Sequence, residues 1–349
     1  MAARLCVILV VCVIGGCTGQ DSPETRFDDY LARLARTLDT PRPSPSAPVA
    51  RAYPDKRRLQ RPVETPRTGW IGLFELHRCG LVNLVSERNS ILGRVAPAHQ
   101  RLAYESQLLA GLTRCRKELS AEAATADPDF VDRLDTLIAR KRDAVPRIFW
   151  NRTLGGDAVI HVFSLAGRPP GLTPTASGRA TRQAIGALAS AGDALARGDR
   201  LDADTLAGFY RTLEASTYGG QLQIAAIRAI QSLDSATAML TERMARRPIC
   251  FNQRPNRRGR TLQTILLEVY GPEVQSYLAD LVRAGHQWRA AVDRLVDAQR
   301  TPVPASFRTY WQATLATDSG LWPRLNTAIE DHTRQWQTLL GDCGLMPGS

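Results

Sequence analysis

Removing residues 1–16 leaves 333 of the 349, enough for one large or two ordinary domains with a sizeable core. The formal charge is +11 and the pI about 9.7, a balance that in a cytosolic chain suggests nucleic acid. An exported chain meets lipid phosphates, lipopolysaccharide and peptidoglycan carboxylates instead, and the N-terminus argues for export, so no nucleic-acid partner is expected.

The chain opens MAARLCVILVVCVIGGCTGQ. Arg4, the apolar run Leu5 to Ile14, and the small Gly15 and Gly16 before Cys17 follow the order of a secretory signal. A spanning helix needs about 20 apolar residues for ~30 Å of hydrocarbon, and Thr18, Gln20 and Asp21 break this run too soon. The stretch Ile14, Gly15, Gly16, Cys17 resembles the bacterial lipobox, in which the cysteine is diacylated and becomes the new N-terminus. Cys17 is therefore the expected lipidation site. In Gram-negative sorting an Asp after that cysteine favours inner-membrane retention, so Thr18 points to the outer membrane, facing the periplasm.

RFDDYLARLARTLDT follows, with Phe27, Tyr30, Leu31, Leu34 and Leu38 at helical spacing, a short amphipathic helix for the membrane or, more commonly, for docking on the body. PRPSPSAPVARAYP and the basic DKRRLQRPVETPR then read as an extended, semi-rigid tether, because proline fixes φ and removes donors. From Trp70 the chain is helical almost throughout. IGLFELHRCGLVNLVSERNSILGRV, with Leu73, Leu76, Leu81, Leu84 and Val85 near one stripe, and a second helix opened by Pro97 predict an antiparallel hairpin. DPDFVDRLDTLIARKRDAVP is a further helix, with Asp127 as N-cap and Pro146 disturbing its end. AVIHVF, residues 158 to 163, is the one strand-like stretch, and LAGRPPGLTPTASG is a break.

Helices then read from about Arg179 to Arg197 and from Ala203 to Arg246, the latter kinked at Gly219 and Gly220. The loop RRPICFNQRPNRRGR carries Arg246, Arg247, Arg254, Arg257, Arg258 and Arg260 without an acidic residue. A long helical pair interrupted at Gly271 and Pro272 follows, and Trp311, Trp322, Trp336 and Leu339 are spaced for burial near the C-terminus.

Cys6 and Cys12 leave with the signal and Cys17 takes lipid, so Cys79, Cys115, Cys250 and Cys343 remain for disulfides in an oxidising compartment. In a hairpin Cys79 faces Cys115, and Cys250 with Cys343 ties the basic loop to the C-terminus. No metal site and no cofactor are expected: His77, His99, His161, His286 and His332 form no HExxH, HxH or helical pair. No catalytic residue is expected either. Gly219, Gly220 and Gln221 match a release-factor triplet, and Asp318, Ser319 and Gly320 faintly match a serine-protease turn, but export opposes the first and helical flanks the second. Carboxylates such as Glu75, Glu87 and Glu105 are many, though helix-borne ones are usually solvated or paired to arginine. The polar interruption SERNSILGRV places Glu87, Arg88, Asn89, Ser90 and Arg94 either along a binding cleft or at a helix cap.

CGLVNLVSERNSILGRVAPAHQRLAYE, LLEVYGPEVQSYLADLVRAGHQW and WQTLLGDCGLMPG together resemble the proteobacterial lipoproteins grouped as domain-of-unknown-function 3080, over almost the whole mature chain. The resemblance implies an envelope lipoprotein with no activity to carry over. Ile91 stands where a second Ser is common, and His99 where Ser is usual, which argues against the polar loop as a strict active site.

The expected fold is all-α, a multi-helix domain of antiparallel helical hairpins behind a lipidated, Pro-rich tether. Residues 1–16 are the signal peptide, 17–69 the anchor, amphipathic helix and linker, and 70–349 the helical body. The expected function is non-enzymatic binding or scaffolding in the cell envelope, attached to the membrane through its lipid, with an envelope protein or an anionic lipid or polysaccharide as partner. The alternatives are a periplasmic hydrolase of cell-wall or lipid substrates, and an anion-binding module using the arginine loop.

Overall fold

The computed structural model describes residues 22–44, 50–63, 77–121, 127–166 and 176–346. The signal peptide, Cys17, Trp70, Leu73, Glu75 and Leu76 lie outside the described residues. The fold is an all-α, multi-helix bundle. Among the described residues no helix is long and apolar enough to cross a membrane.

Helix α1 (Pro23–Leu38) forms because Ser22 caps it, Pro23 opens it and its apolar residues recur on one face. That face is fully used: Tyr30, Leu31, Leu34 and Leu38 are each 0% exposed, so α1 belongs to the core of the body. It ends at Asp39 in the left-handed region. The described part of the proline-rich stretch is extended but is not a free tether. It straps the body through Tyr53, whose ring stacks on Phe163 at 4.6 Å and whose hydroxyl donates to the Leu154 carbonyl. Beyond the short α2 (Lys56–Leu59), buried Leu59 and the paired amides of Arg61 and Asn151 fasten it again.

The predicted long helix before Pro97 is broken twice. Gly80, at φ +65°, turns the chain out of helix, and Ser90 separates α3 (Val82–Asn89) from the single turn α4 (Ile91–Arg94). The long helix α5 (Ala98–Ala121) pairs along its length with α6 (Pro128–Arg152), and the broken segment before it still packs on α5 through the Cys79–Cys115 bridge and Leu81. Arg116 meets Asp135 and Glu105 meets Lys141, which makes the pair antiparallel. Leu108, Leu112, Leu119, Phe130, Leu134 and Ile138 form a small core of their own beside the Cys79–Cys115 bridge. Asp127 does cap α6, but Pro146 does not end it. Six more residues continue the helix because Phe149 and Trp150 bury there, the Trp150 indole donating to the Leu59 carbonyl at 2.7 Å. Burial outweighs the hydrogen bond that proline removes.

The strand-like AVIHVF is α7 (Asp157–Val162), with Ala158, Val159 and Val162 buried. Packing overrides the β-propensity of its branched residues. Next come α8 (Ala176–Arg197) and α9 (Ala203–Glu214), then the central α10 (Tyr218–Arg246). The break between α9 and α10 is at residues 215–217, not at the glycine pair. Gly219 and Gly220 lie inside the first turn of α10, where a Cβ on Gly220 would stand 1.8 Å from the Ser164 carbonyl oxygen. They form a notch for the α7 loop, which explains the pair without catalysis. Gly271 and Pro272 do not interrupt their helix either. After α11 (Arg257–Thr264) the chain widens into a π-helical run (Ile265–Gln275) and continues as α12 (Ser276–Asp297). The wider turn accommodates Pro272 while Val269, Tyr270 and Val274 stay buried. Helices α13 (Ala305–Thr314) and α14 (Leu321–Asp342) close the bundle, with α14 lying along α10.

One buried polar group is placed by three helices at once. His332 on α14 is 0% exposed, with Nε2 2.8 Å from the Tyr30 hydroxyl and 3.1 Å from the Trp336 indole nitrogen. The indole only donates, so Nε2 accepts, and the proton sits on Nδ1, 3.2 Å from the Thr237 hydroxyl. Burial pushes the imidazole down to about 3. The unfolded chain binds this proton near pH 6.5 and the folded chain does not, so stability is complete above that pH and falls as the pH drops toward 3. Urea unfolding at pH 6.5 and pH 5 should differ by about 2 kcal/mol from this group alone, and His332→Gln should flatten the difference. An unchanged pH slope in the variant would count against a neutral buried His332.

Candidate functional site

The two bridges join Cys79 to Cys115 and Cys250 to Cys343. The second holds the arginine loop. Between Cys250 and α11 the chain makes a tight hairpin, with Phe251 bridged to Arg254 and Asn252 and Gln253 both at positive φ, 51° and 55°. Two consecutive left-handed residues give the sharp reversal that a two-residue connection needs. Asn256 then caps α11, its side-chain oxygen accepting from the Gly259 amide at 2.9 Å. Gly259 leaves room for the bridge, since a Cβ there would stand 2.9 Å from Cys250 Sγ and 3.1 Å from Cys343 Sγ.

Arg246, Arg247, Arg254, Arg257, Arg258 and Arg260 are all exposed. Arg246 donates to the Asp39 carbonyl and the Thr40 hydroxyl at the end of α1, and Arg260 to the Pro255 carbonyl. Among the described residues none of the six pairs with a carboxylate, whereas Arg33, Arg42, Arg147, Arg197, Arg283 and Arg334 elsewhere on the surface do. Arg243, one turn earlier on α10, is held below the usual guanidinium range by burial and then by its neighbours Arg258, Arg246 and Arg247. Phe251 stands 60% exposed among these cations. Sequence analysis missed Phe251, because the short run Ile249, Cys250 and Phe251 has no periodicity to tell its exposed member from its buried ones.

Within the polar interruption Ser90 and Arg88 act as caps. Ser90 Oγ donates to the Glu87 carbonyl at 2.7 Å and accepts from the Gly93 amide at 3.0 Å, while the Arg88 guanidinium donates to the Gly93 carbonyl at 2.9 Å. Glu87, Asn89 and Arg94 point to solvent. The turn they close exposes Ile91, Leu92 and Val95 at 83%, 80% and 77%, so its tip is apolar.

A family model described as "Protein of unknown function (DUF3080)" matches residues 27–347. The chain belongs to the DUF3080 family. No curated protein and no solved structure matches it.

Of the polar groups that sequence analysis weighed for chemistry in this DUF3080 chain, Glu105 and Ser319 hold the fold together. Glu105, 1% exposed, lies between Arg101 at 2.7 Å and Lys141 at 2.8 Å, an ion triad binding α5 to α6. Ser319 donates to Asp318 and, at 3.4 Å, to the Gln312 carbonyl, in the turn before α14 that Gly320 caps. A cleft of about 650 Å³ between α5, α6 and α8 is walled by Leu109, Val145, Phe149 and Leu195, with Arg142, Arg197 and Arg300 at its rim. Asp199 and Asp193 pair with the latter two arginines. Among the described residues no group of three or more His, Cys, Asp or Glu is placed to hold a metal.

Proposed function

We propose that the protein is an outer-membrane lipoprotein, anchored through Cys17 and facing the periplasm, that acts by binding an anionic surface and not by catalysis. The observation that carries the reading is the arginine hairpin. Six guanidinium groups with no carboxylate partner among the described residues sum to a strong local field, and a disulfide and a tight turn hold them in place before any partner arrives, which lowers the ordering cost of binding. Arginine also suits the task chemically, since its planar fork pairs bidentately with phosphate and carboxylate.

The docked α1 shortens the leash that the sequence alone suggests. Helix α1 begins at Pro23, so the chain between a lipid on Cys17 and the body reaches at most about 20 Å. The body is then held at the bilayer surface, where lipid phosphates and wall carboxylates are both within reach.

The test uses the mature chain with Cys17→Ser, which removes the anchor, and a matched chain with Arg257, Arg258 and Arg260 all changed to Ala. Binding to vesicles of phosphatidylglycerol in phosphatidylcholine, and to purified peptidoglycan, is followed from low to high salt. The parent chain should bind at least one of these anionic surfaces, weaken steeply as salt screens the field, and lose most of that binding in the triple variant. Equal binding by the triple variant on both surfaces would remove the proposal.

A further inference from the structure

We propose that the arginine hairpin binds the same bilayer that carries the acyl anchor, inserting Phe251 between the lipid headgroups, so that the body is attached at two points about 24 Å apart. This rests on the anion-binding reading above and names its partner.

The placement follows from α1. The anchor enters at Pro23, the first residue of a 16-residue helix, which at 1.5 Å per residue is about 24 Å long. The hairpin sits at the other end, where Arg246 donates to the Asp39 carbonyl and to the Thr40 hydroxyl. Near the start of α1 Glu24 pairs with Arg228 on the same central helix, so α1 and α10 run side by side in the same direction from anchor end to hairpin end. With α1 lying along the surface, one plane meets both ends.

The chemistry of the tip selects a bilayer over a polysaccharide. A sugar polymer rewards charge and hydrogen bonding, for which the arginines suffice, and gains little from an aromatic ring projecting past them. A headgroup region offers phosphates to the arginines and apolar depth to Phe251, which is 60% exposed and therefore not held by the body. The Cys250–Cys343 bridge keeps the ring projecting. Attachment at the first point raises the effective concentration at the second, so modest affinity of the hairpin is enough. The diacylated cysteine already anchors the chain stably, so the second contact serves to orient the body on the bilayer.

The experiment adds Phe251→Ser to the chains described above, with Phe251→Trp as the conservative control, and thermal unfolding to confirm that both remain folded. On vesicles containing phosphatidylglycerol, Phe251→Ser should weaken binding about tenfold, the value of burying one large apolar side chain, while Phe251→Trp holds or strengthens it. Salt dependence should persist in Phe251→Ser, because the arginines remain. If Phe251→Ser binds vesicles as the parent does while the triple arginine variant does not, insertion is wrong and the anion-binding reading stands. If the parent binds purified peptidoglycan and ignores vesicles, the bilayer is wrong and the wall is the partner. If the triple variant matches the parent on every surface, the underlying reading fails with it.

Discussion

Gly220→Ala should cost this protein about 3 kcal/mol or more, against near-neutrality for the same change at Gly341. The Cβ of an alanine at 220 would fall 1.8 Å from the carbonyl oxygen of Ser164 and 2.5 Å from its carbon, both backbone atoms. No rotamer change relieves that contact, so α10 must move away from the α7 loop. Gly219→Ala meets mainly the ring of Trp288, 2.7 Å away, and a ring can shift, so its cost should be smaller. Gly341 has nothing within 4 Å of the added methyl and sits in α14, where alanine is favoured over glycine by up to about 1 kcal/mol. For a chain of this size a loss of about 3 kcal/mol at 220 corresponds to a fall in Tm of roughly 4 °C. Thermal unfolding of the three variants, followed by circular dichroism, gives the order directly, and a Gly220→Ala chain as stable as the parent would mean that the notch is not as close as described.

Replacing Cys250 and Cys343 together by serine should have an effect of similar or larger size. The bridge spans 93 residues, and in the chain-entropy account a loop of that length is worth about 4.6 kcal/mol, against about 3.8 kcal/mol for the 36-residue separation of Cys79 and Cys115. The two double variants should differ more in function than in stability. Losing the first frees the hairpin from the end of α14 and should weaken binding to anionic surfaces even at temperatures where the body stays folded. Losing the second loosens the small core of α5 and α6, far along the chain from the arginines, and should leave binding intact. Denaturant midpoints together with vesicle or peptidoglycan binding separate these outcomes.

Most helices were legible because their apolar stripes and caps are local signals. Asp127 before Pro128 and the spacing of Phe27, Tyr30, Leu31, Leu34 and Leu38 define the start of α6 and the apolar face of α1 without reference to the rest of the chain. Errors came wherever a distant partner decided. Val159 and Val162 are helical because the core receives them there, and Pro146 is tolerated because Phe149 and Trp150 anchor the helix beyond it. Gly80 has the same single-residue signature as any tolerated helix glycine, so its left-handed turn was invisible, and with it the longer pairing of α5 with α6.

The site was legible only as composition. Six arginines without an acid can be read from the loop itself, but a carboxylate brought in from another helix would have neutralised them, and only the tertiary fold shows that none of those described does. The polar segment from Glu87 to Arg94 illustrates the converse. Two of its polar side chains, Arg88 and Ser90, serve the backbone of their own turn, a use that residue types alone do not distinguish from a cleft.

Amide hydrogen exchange on the chain purified with its native N-terminus and reconstituted in nanodiscs tests the two-point attachment most directly. Phosphatidylglycerol and neutral phosphatidylcholine discs are compared at low salt, with the anionic discs repeated at high salt. The account predicts that amides of residues 249–258 exchange more slowly in the anionic discs, that high salt removes the protection, and that the exposed turn at Ile91 and Leu92 does not respond to lipid charge. Identical exchange across the hairpin in anionic and neutral discs, with the protein held in both, would contradict it.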